Sequence, residues 1–206
     1  MESASVPVPG TAAPAAIERR RPLIVGIAGG TASGKTTICG RLVERLAGYT
    51  VLDMHMDRYF LRVKPRMRAP ISGLDYEDHN HPSSFDLDAL VRDLDAHRQA
   101  AEADVIIVEG LLTLYHQPLR ERLDLAIYLD APSDERIVRR LRRNMARGLD
   151  FDGIAQFYLD SVRFRHEEFV EPSRWHADLV LNGAYPSDRG LTVVADWIRA
   201  QIAPQG

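Results

Sequence analysis

Short apolar runs alternate along this chain with longer stretches whose apolar residues recur every three or four positions. Five runs read as buried strands: Leu23 to Ala28, Thr50 to Asp57, Ala103 to Gly110, Leu125 to Asp130 and Ala177 to Asn182. Helical spacing predicts a helix through Ile38, Leu42, Val43 and Leu46 that ends near Gly48, and a second through Leu87, Leu90, Val91 and Leu94 with Asp86 as its cap. Further helices are predicted from Pro132 to Arg147, stopped by Gly148, from Ile154 to Phe169, and from Leu191 to Ile202. Leu111 to Arg122 reads as a short helical or irregular connection. Strands alternating with helices predict an α/β fold, a parallel sheet with helices on both faces.

Two stretches break this rhythm. Residues 1–21 are rich in Pro and Ala and end in basic residues, which predicts a disordered tail, and 22–206 then forms the folded domain. The second stretch runs from Arg58 to about residue 85, with Pro65, Pro70, Gly73 and Pro82 among many polar residues. A connection of that length in a compact domain is usually functional.

Composition narrows the class. At 206 residues the chain is one domain with room for a lid, here about 132–150. Apolar residues make up 45% and charged residues 27%, the balance of an ordinary soluble protein. A net charge of −3 offers no basic footprint for nucleic acid, and no apolar run has the length of a membrane span. The one cysteine, Cys39, excludes an internal disulfide framework and fits a cytoplasmic protein, with Cys39 itself in the core.

The chemistry starts at Gly29-Gly30-Thr31-Ala32-Ser33-Gly34-Lys35-Thr36-Thr37, which fits the phosphate-binding pattern G-x-x-x-x-G-K-[ST] between a strand and a helix. Glycines let successive N–H groups converge on phosphate oxygens, and the helix adds its N-terminal dipole. Lys35 reaches the β- and γ-phosphates and Thr36 offers its hydroxyl to Mg²⁺.

A loop that holds a nucleotide and metal needs an acidic partner and a base. Glu109 ends the most apolar strand, where ligands of open α/β sheets bind, and suits the metal's water shell. Asp57 ends a second strand and can take or orient the proton of an acceptor hydroxyl, or sit on the metal. Arg136, Arg139, Arg140, Arg142, Arg143 and Arg147 crowd one predicted helix, which reads as a lid; Arg139, Arg140 and Arg143 are the candidates for the transferring phosphoryl. His79 and His81 lack the further ligands of a zinc site and read as loop structure or substrate contact.

In these motifs, taken in order, the chain resembles the uridine kinase and phosphoribulokinase group of P-loop kinases from about residue 22 to the C-terminal helix. Besides the phosphate loop, the matching segments are Asp57-Arg58-Tyr59-Phe60, His81-Pro82-Ser83-Ser84-Phe85-Asp86, Val108-Glu109-Gly110-Leu111-Leu112, the arginines to Arg147-Gly148, and Glu167 to Ser173 followed by Ala177 to Val180. The resemblance implies a five-stranded parallel core with a helical lid, and transfer of the γ-phosphate of ATP, with Mg²⁺, to the 5′-hydroxyl of a nucleoside such as uridine or cytidine. It implies Asp57 as base, Thr36, Glu109 and Asp57 around the metal, and Asp57, Tyr59, Tyr76, His81, Arg140 and Phe157 at the acceptor. Homo-oligomers are compatible with it.

Three departures fall on the acceptor side. Only about 17 residues separate Asp86 from the strand at Val105, room for one helix and not for the base-holding hairpin of uridine kinases. The lid's R-G-R reads Arg147-Gly148-Leu149, and the glutamine before the next helix's tyrosine is Phe157, with Gln156 one place earlier. The short chain and Glu109 to Leu112 with Tyr115 to Leu119 are also similar to nicotinamide riboside kinases. The alternatives are therefore nicotinamide riboside, pantothenate or a sugar phosphate as acceptor, or a nucleotide-binding regulatory module without turnover, against which Asp57 argues.

Overall fold

A computed structural model of the chain describes residues 21–203. Its core is a five-stranded parallel sheet in the order β2-β5-β1-β6-β7, made of β1 (Leu23–Gly29), β2 (Val51–His55), β5 (Val105–Glu109), β6 (Leu125–Asp130) and β7 (Leu179–Asn182). The α/β reading is borne out. Side chains of β1 alternate between the faces: Val25 and Ile27 pack against α1 (Lys35–Arg45) and α7 (Asp188–Ile202). Ile24 and Ala28 pack on the opposite face with Leu90 and Leu94 of α2 (Leu87–Ala100). Both faces are covered, which is why the strands read as continuous apolar runs rather than as alternation.

Local signals set several ends. Asp86 Oδ1 accepts from the Ala89 N–H at 2.8 Å and caps α2, a contact of about 1 kcal/mol. Asp57 lies beyond β2, in a 3₁₀ turn over Met56–Tyr59. Between β5 and β6 the connection holds one helical turn, α3 (Gln117–Arg120). The predicted lid helix is α4 (Ser133–Met145), and Gly148 beyond it has φ +85°. The next helix starts earlier than predicted, at α5 (Phe151–Phe157), because Asp150 accepts from the Asp152 and Gly153 N–H groups. It continues through a π-helical turn (Tyr158–Val162), α6 (Arg163–Arg165) and a second π-helical turn (His166–Val170).

Between Asp86 and Val105 the structure has α2 and no hairpin, but the sequence did not reveal a hairpin earlier in the chain. The connection after Asp57 contains an antiparallel hairpin of β3 (Arg66–Arg68) and β4 (Asp75–Glu77), with Met67 opposite Tyr76. The chain thus has a hairpin beside the acceptor side, placed ahead of the His81-Pro82 motif rather than after it. Each strand is three residues long, too short for an apolar pattern to show in sequence. The predicted N-terminal tail lies outside the described residues apart from Arg21, which pairs with Asp124.

Candidate active site

The phosphate loop leaves β1 at Gly29 and enters α1 at Lys35. Gly34, the residue before the helix, has φ +100°, a left-handed conformation that glycine takes without strain. A Cβ on Gly29 would come within 2.6 Å of the Leu129 carbonyl oxygen. Both glycines are therefore required by the backbone path. Lys35 Nζ donates to the carbonyls of Gly29 and Gly30, each at 3.0 Å, which holds the ammonium across the mouth of the loop. Burial pushes its pKa down, while Glu109 and Asp57 oppose the shift.

Strand register assembles the acidic end. Parallel pairing sets Glu109 beside Ile27 of β1 and His55 of β2, so Glu109 projects next to the phosphate loop. Its Oε1 accepts from Thr36 Oγ1 at 3.0 Å and lies 2.8 Å from His55 Nδ1. His55 Nε2 is 3.1 Å from Asp53 Oδ2, so the imidazole is held between two carboxylates. Neither Asp53 nor His55 stood out in sequence, because only the register brings them to Glu109.

A metal ion fits this donor set in one way. Among the described residues no group of three or more His, Cys, Asp or Glu could hold an ion by itself. One hydroxyl and one or two carboxylates beside a phosphate cradle is the arrangement Mg²⁺ uses, completed by water and phosphate oxygens. Thr36 and Glu109, with Asp57, are the residues that could hold it.

One cavity of about 980 Å³ joins these groups to the acceptor side. Thr31, Ala32, Lys35, Thr36, Asp57 and Glu109 line its phosphate end, and Phe60, Tyr76, Glu77, His79, Asn80, Ile154 and Phe157 line the other. The rings form a chain: Phe60 and His79 centroids are 6.0 Å apart, His79 and Phe157 6.2 Å, Phe157 and Tyr76 5.3 Å, all edge to face. Asp57 opens onto the cavity, yet the surrounding protein raises its carboxyl pKa. Lost solvation is the largest cause, with Glu109 adding and Lys35 and Arg143 opposing.

Two expected acceptor contacts are corrected. Tyr59 turns away, its hydroxyl donating to Asp93 Oδ2 of α2 at 2.8 Å, and Phe60 faces the cavity in its place. His81 does not line the cavity: its Nδ1 accepts from the Ser83 N–H at 3.1 Å and its ring makes a T-shaped contact with Phe169 at 5.1 Å between centroids. His81 thus caps the 3₁₀ turn at Pro82. Asn80 was missed in sequence. It is 9% exposed and lines the cavity, and no hydrogen bond engages its side-chain amide among the described residues.

The lid arginines divide. Arg140 Nη1 donates to Thr31 Oγ1 at 2.8 Å, and its guanidinium lies 5.8 Å from the centre of the Phe157 ring. Burial, then Arg143, push its pKa down to about 10. Arg143 and Arg147 line both this cavity and a second one of about 530 Å³ on the outer side of the loop, where Gly34 and Thr37 lie. Arg139 lines only the second cavity. It donates to the Gly183 carbonyl at 2.8 Å and the Ala184 carbonyl at 2.5 Å, so it fastens α4 to the segment after β7. Arg136 is buried, its Nε donating to the Ala131 carbonyl at 3.0 Å.

Known proteins resemble this chain in sequence and in fold. The Phosphoribulokinase / Uridine kinase family matches residues 75–185. A uridine kinase of Deinococcus deserti is 32% identical over 205 residues, covering 88% of this chain and 98% of its own. The uridine kinase of Bacillus subtilis is 31% identical, covering 79% and 86%. Among solved structures, a putative fructose transport system kinase from Silicibacter sp. TM1040 superimposes with a TM-score of 0.62 at 19% identity, over 80% of this chain and 91% of that one. A shikimate kinase from Bacteroides thetaiotaomicron does so with a TM-score of 0.53 at 16% identity, over 87% and 98%. The two structures share the fold. The chain belongs to the phosphoribulokinase and uridine kinase family, phosphotransferases with a hydroxyl acceptor.

Proposed function

We propose that the protein is an ATP- and Mg²⁺-dependent kinase that phosphorylates the 5′-hydroxyl of a nucleoside, uridine or cytidine. The observation that carries this reading is one cavity lined by the phosphate loop, Asp57 and a chain of aromatic rings. Rings stack on a planar base, and the free Asn80 amide offers one donor and one acceptor to its sugar or base.

In this reading Asp57 orients the acceptor hydroxyl and takes its proton as the oxygen bonds to the γ-phosphorus and the bond to the β,γ-bridging oxygen breaks. The electron pair leaves on ADP. Lys35, Arg140 and Arg143 stabilise the charge on the transferring group. Thr36 and Glu109 would hold Mg²⁺, which when bound neutralises phosphate charge. The single buried cysteine supports a cytoplasmic setting.

The test is ADP formation by the purified protein with ATP and Mg²⁺, compared across uridine, cytidine, nicotinamide riboside and pantothenate. Turnover with uridine or cytidine well above the others is expected. A preference for nicotinamide riboside or pantothenate would replace the acceptor. ATP binding without acceptor-dependent turnover on any of them would support a regulatory module.

A further inference from the structure

The hairpin that walls the acceptor side is held by very little of its own. Two strands of three residues do not stand alone in water. Of the hairpin side chains, Met67 and Ala69 are buried, while Ile71 and Leu74 are 72% and 52% exposed. Its position over the cavity must therefore come from ties to another element.

Asp78, just past β4, is ion-paired with Arg165 at 2.6 Å, and the side-chain hydrogen bonds that leave the hairpin itself for another element converge, among the described residues, on one atom. Asp160 Oδ2 accepts from Ser72 Oγ at 2.6 Å and from Tyr76 OH at 2.8 Å, both on the hairpin, and from Gln156 Nε2 at 2.8 Å, one helical turn earlier. Asp160 is 3% exposed and sits in the π-helical turn Tyr158–Val162. Hydrogen bonds to an ionised carboxylate are shorter and stronger than neutral ones, and π-helical turns recur at functional sites. The neighbouring Phe157 meets the Tyr76 ring edge to face. The Tyr76 hydroxyl is spent on Asp160, so Tyr76 presents its ring to the cavity. Gln156 serves the same carboxylate and leaves Phe157 as the cavity residue.

We propose that Asp160 is the positioning residue of the acceptor wall: it latches the 66–77 hairpin to the helix after the lid and so sets where Tyr76 and Glu77 meet the acceptor, while Asp78, paired with Arg165, holds the turn that carries His79 and Asn80. This rests on the acceptor-kinase reading above for its effect on kinetics, and on the hydrogen-bond network alone for its effect on the hairpin. Asp160 touches neither the phosphate loop nor Asp57, so its loss acts on acceptor binding rather than on phosphoryl transfer.

The test pairs amide hydrogen exchange with steady-state kinetics on Asp160→Ala, Asp160→Asn and Ser72→Ala. Asp160→Ala is expected to speed exchange across 66–77 and raise the acceptor KM about tenfold, with kcat and the ATP KM within about twofold, the loss of charge-assisted hydrogen bonds. Asp160→Asn, which keeps an accepting oxygen, is expected to fall between wild type and Asp160→Ala. Ser72→Ala removes one exposed donor and is expected to shift both readouts about threefold, which decides the matter if Asp160→Ala does not fold. Unchanged exchange over 66–77, or a fall in kcat with the acceptor KM unmoved, overturns the latch. Faster exchange in a protein whose wild type turns over no acceptor overturns the kinase reading and supports the latch.

Discussion

Thr36 Oγ1 donates to Glu109 Oε1 across 3.0 Å, joining the first turn of α1 to the end of β5 although 73 residues separate them. The hydroxyl's proton is directed at the carboxylate, so its lone pairs stay turned toward the phosphate side. A metal held there would feel both groups. Glu109→Ala is expected to lower turnover about 10²- to 10³-fold and to raise the Mg²⁺ concentration needed for half-maximal rate. Initial rates titrated with Mg²⁺ check this, and a variant with unaltered Mg²⁺ dependence removes Glu109 from the metal.

Asp57 shares a cavity with Lys35 and the aromatic rings. As the base, it matters to the chemical step and not to holding nucleotide. Asp57→Asn is expected to lose about 10²- to 10⁴-fold in kcat while ATP affinity, read by calorimetry, moves less than about twofold. Retained turnover would sink its assignment.

Arg143 and Arg139 lie one turn apart on α4 and face different tasks. Arg143 lines both cavities, whereas Arg139 lines only the second and is bonded there to the Gly183 and Ala184 carbonyls. Arg143→Ala is expected to cut kcat about 10²- to 10³-fold. Arg139→Ala is expected to raise the ATP KM by about tenfold with a smaller loss of kcat, because Arg139 lines the second cavity and holds the Gly183 segment there but does not line the cavity that Asp57 opens onto. Equal kcat losses in the two variants would contradict this division.

Asn80 is the nine-tenths buried amide that faces the acceptor end. Asn80→Ala is expected to raise the acceptor KM about tenfold and leave the ATP KM alone, the loss of one or two hydrogen bonds. Kinetics with each substrate varied in turn separate the two constants.

His166 supplies a pH dependence of stability. Its Nε2 is 3.0 Å from Glu171 Oε2, while Nδ1 faces Gly30 without a partner. Burial, then the charges of Arg136 and Lys35, push its pKa from 6.5 down to about 4, with Asp130 opposing. Between those values the unfolded chain binds a proton that the folded chain does not. The stabilisation is thus full above pH 6.5 and is lost as pH falls toward 4. The slope is at most about 1.4 kcal/mol per pH unit. Denaturant melts from pH 7 to 4 are expected to show it, and His166→Gln to flatten it.

The donor half of the site was legible in the residues. Gly29 to Thr37 works through backbone geometry that only a fixed spacing of glycines permits, and the apolar run before Glu109 marks a strand end. The α/β layering was legible too, since β1, β5 and β6 are buried on both faces and read as unbroken apolar runs. The acceptor half was not. The roles of Tyr59 and Phe60 depend on how a 3₁₀ turn rotates them, and no periodicity reports that rotation. His55 and Asp53 gained meaning only when parallel register set β2 beside β5. Asp160 looked like one polar residue in a helix until a hairpin 84 to 88 residues earlier in the chain folded onto it. Sequence by itself determined the phosphate cradle and the layering, because both rest on local backbone rules. Tertiary structure alone decided the acceptor wall, because it is built from side chains whose partners lie far away in the chain.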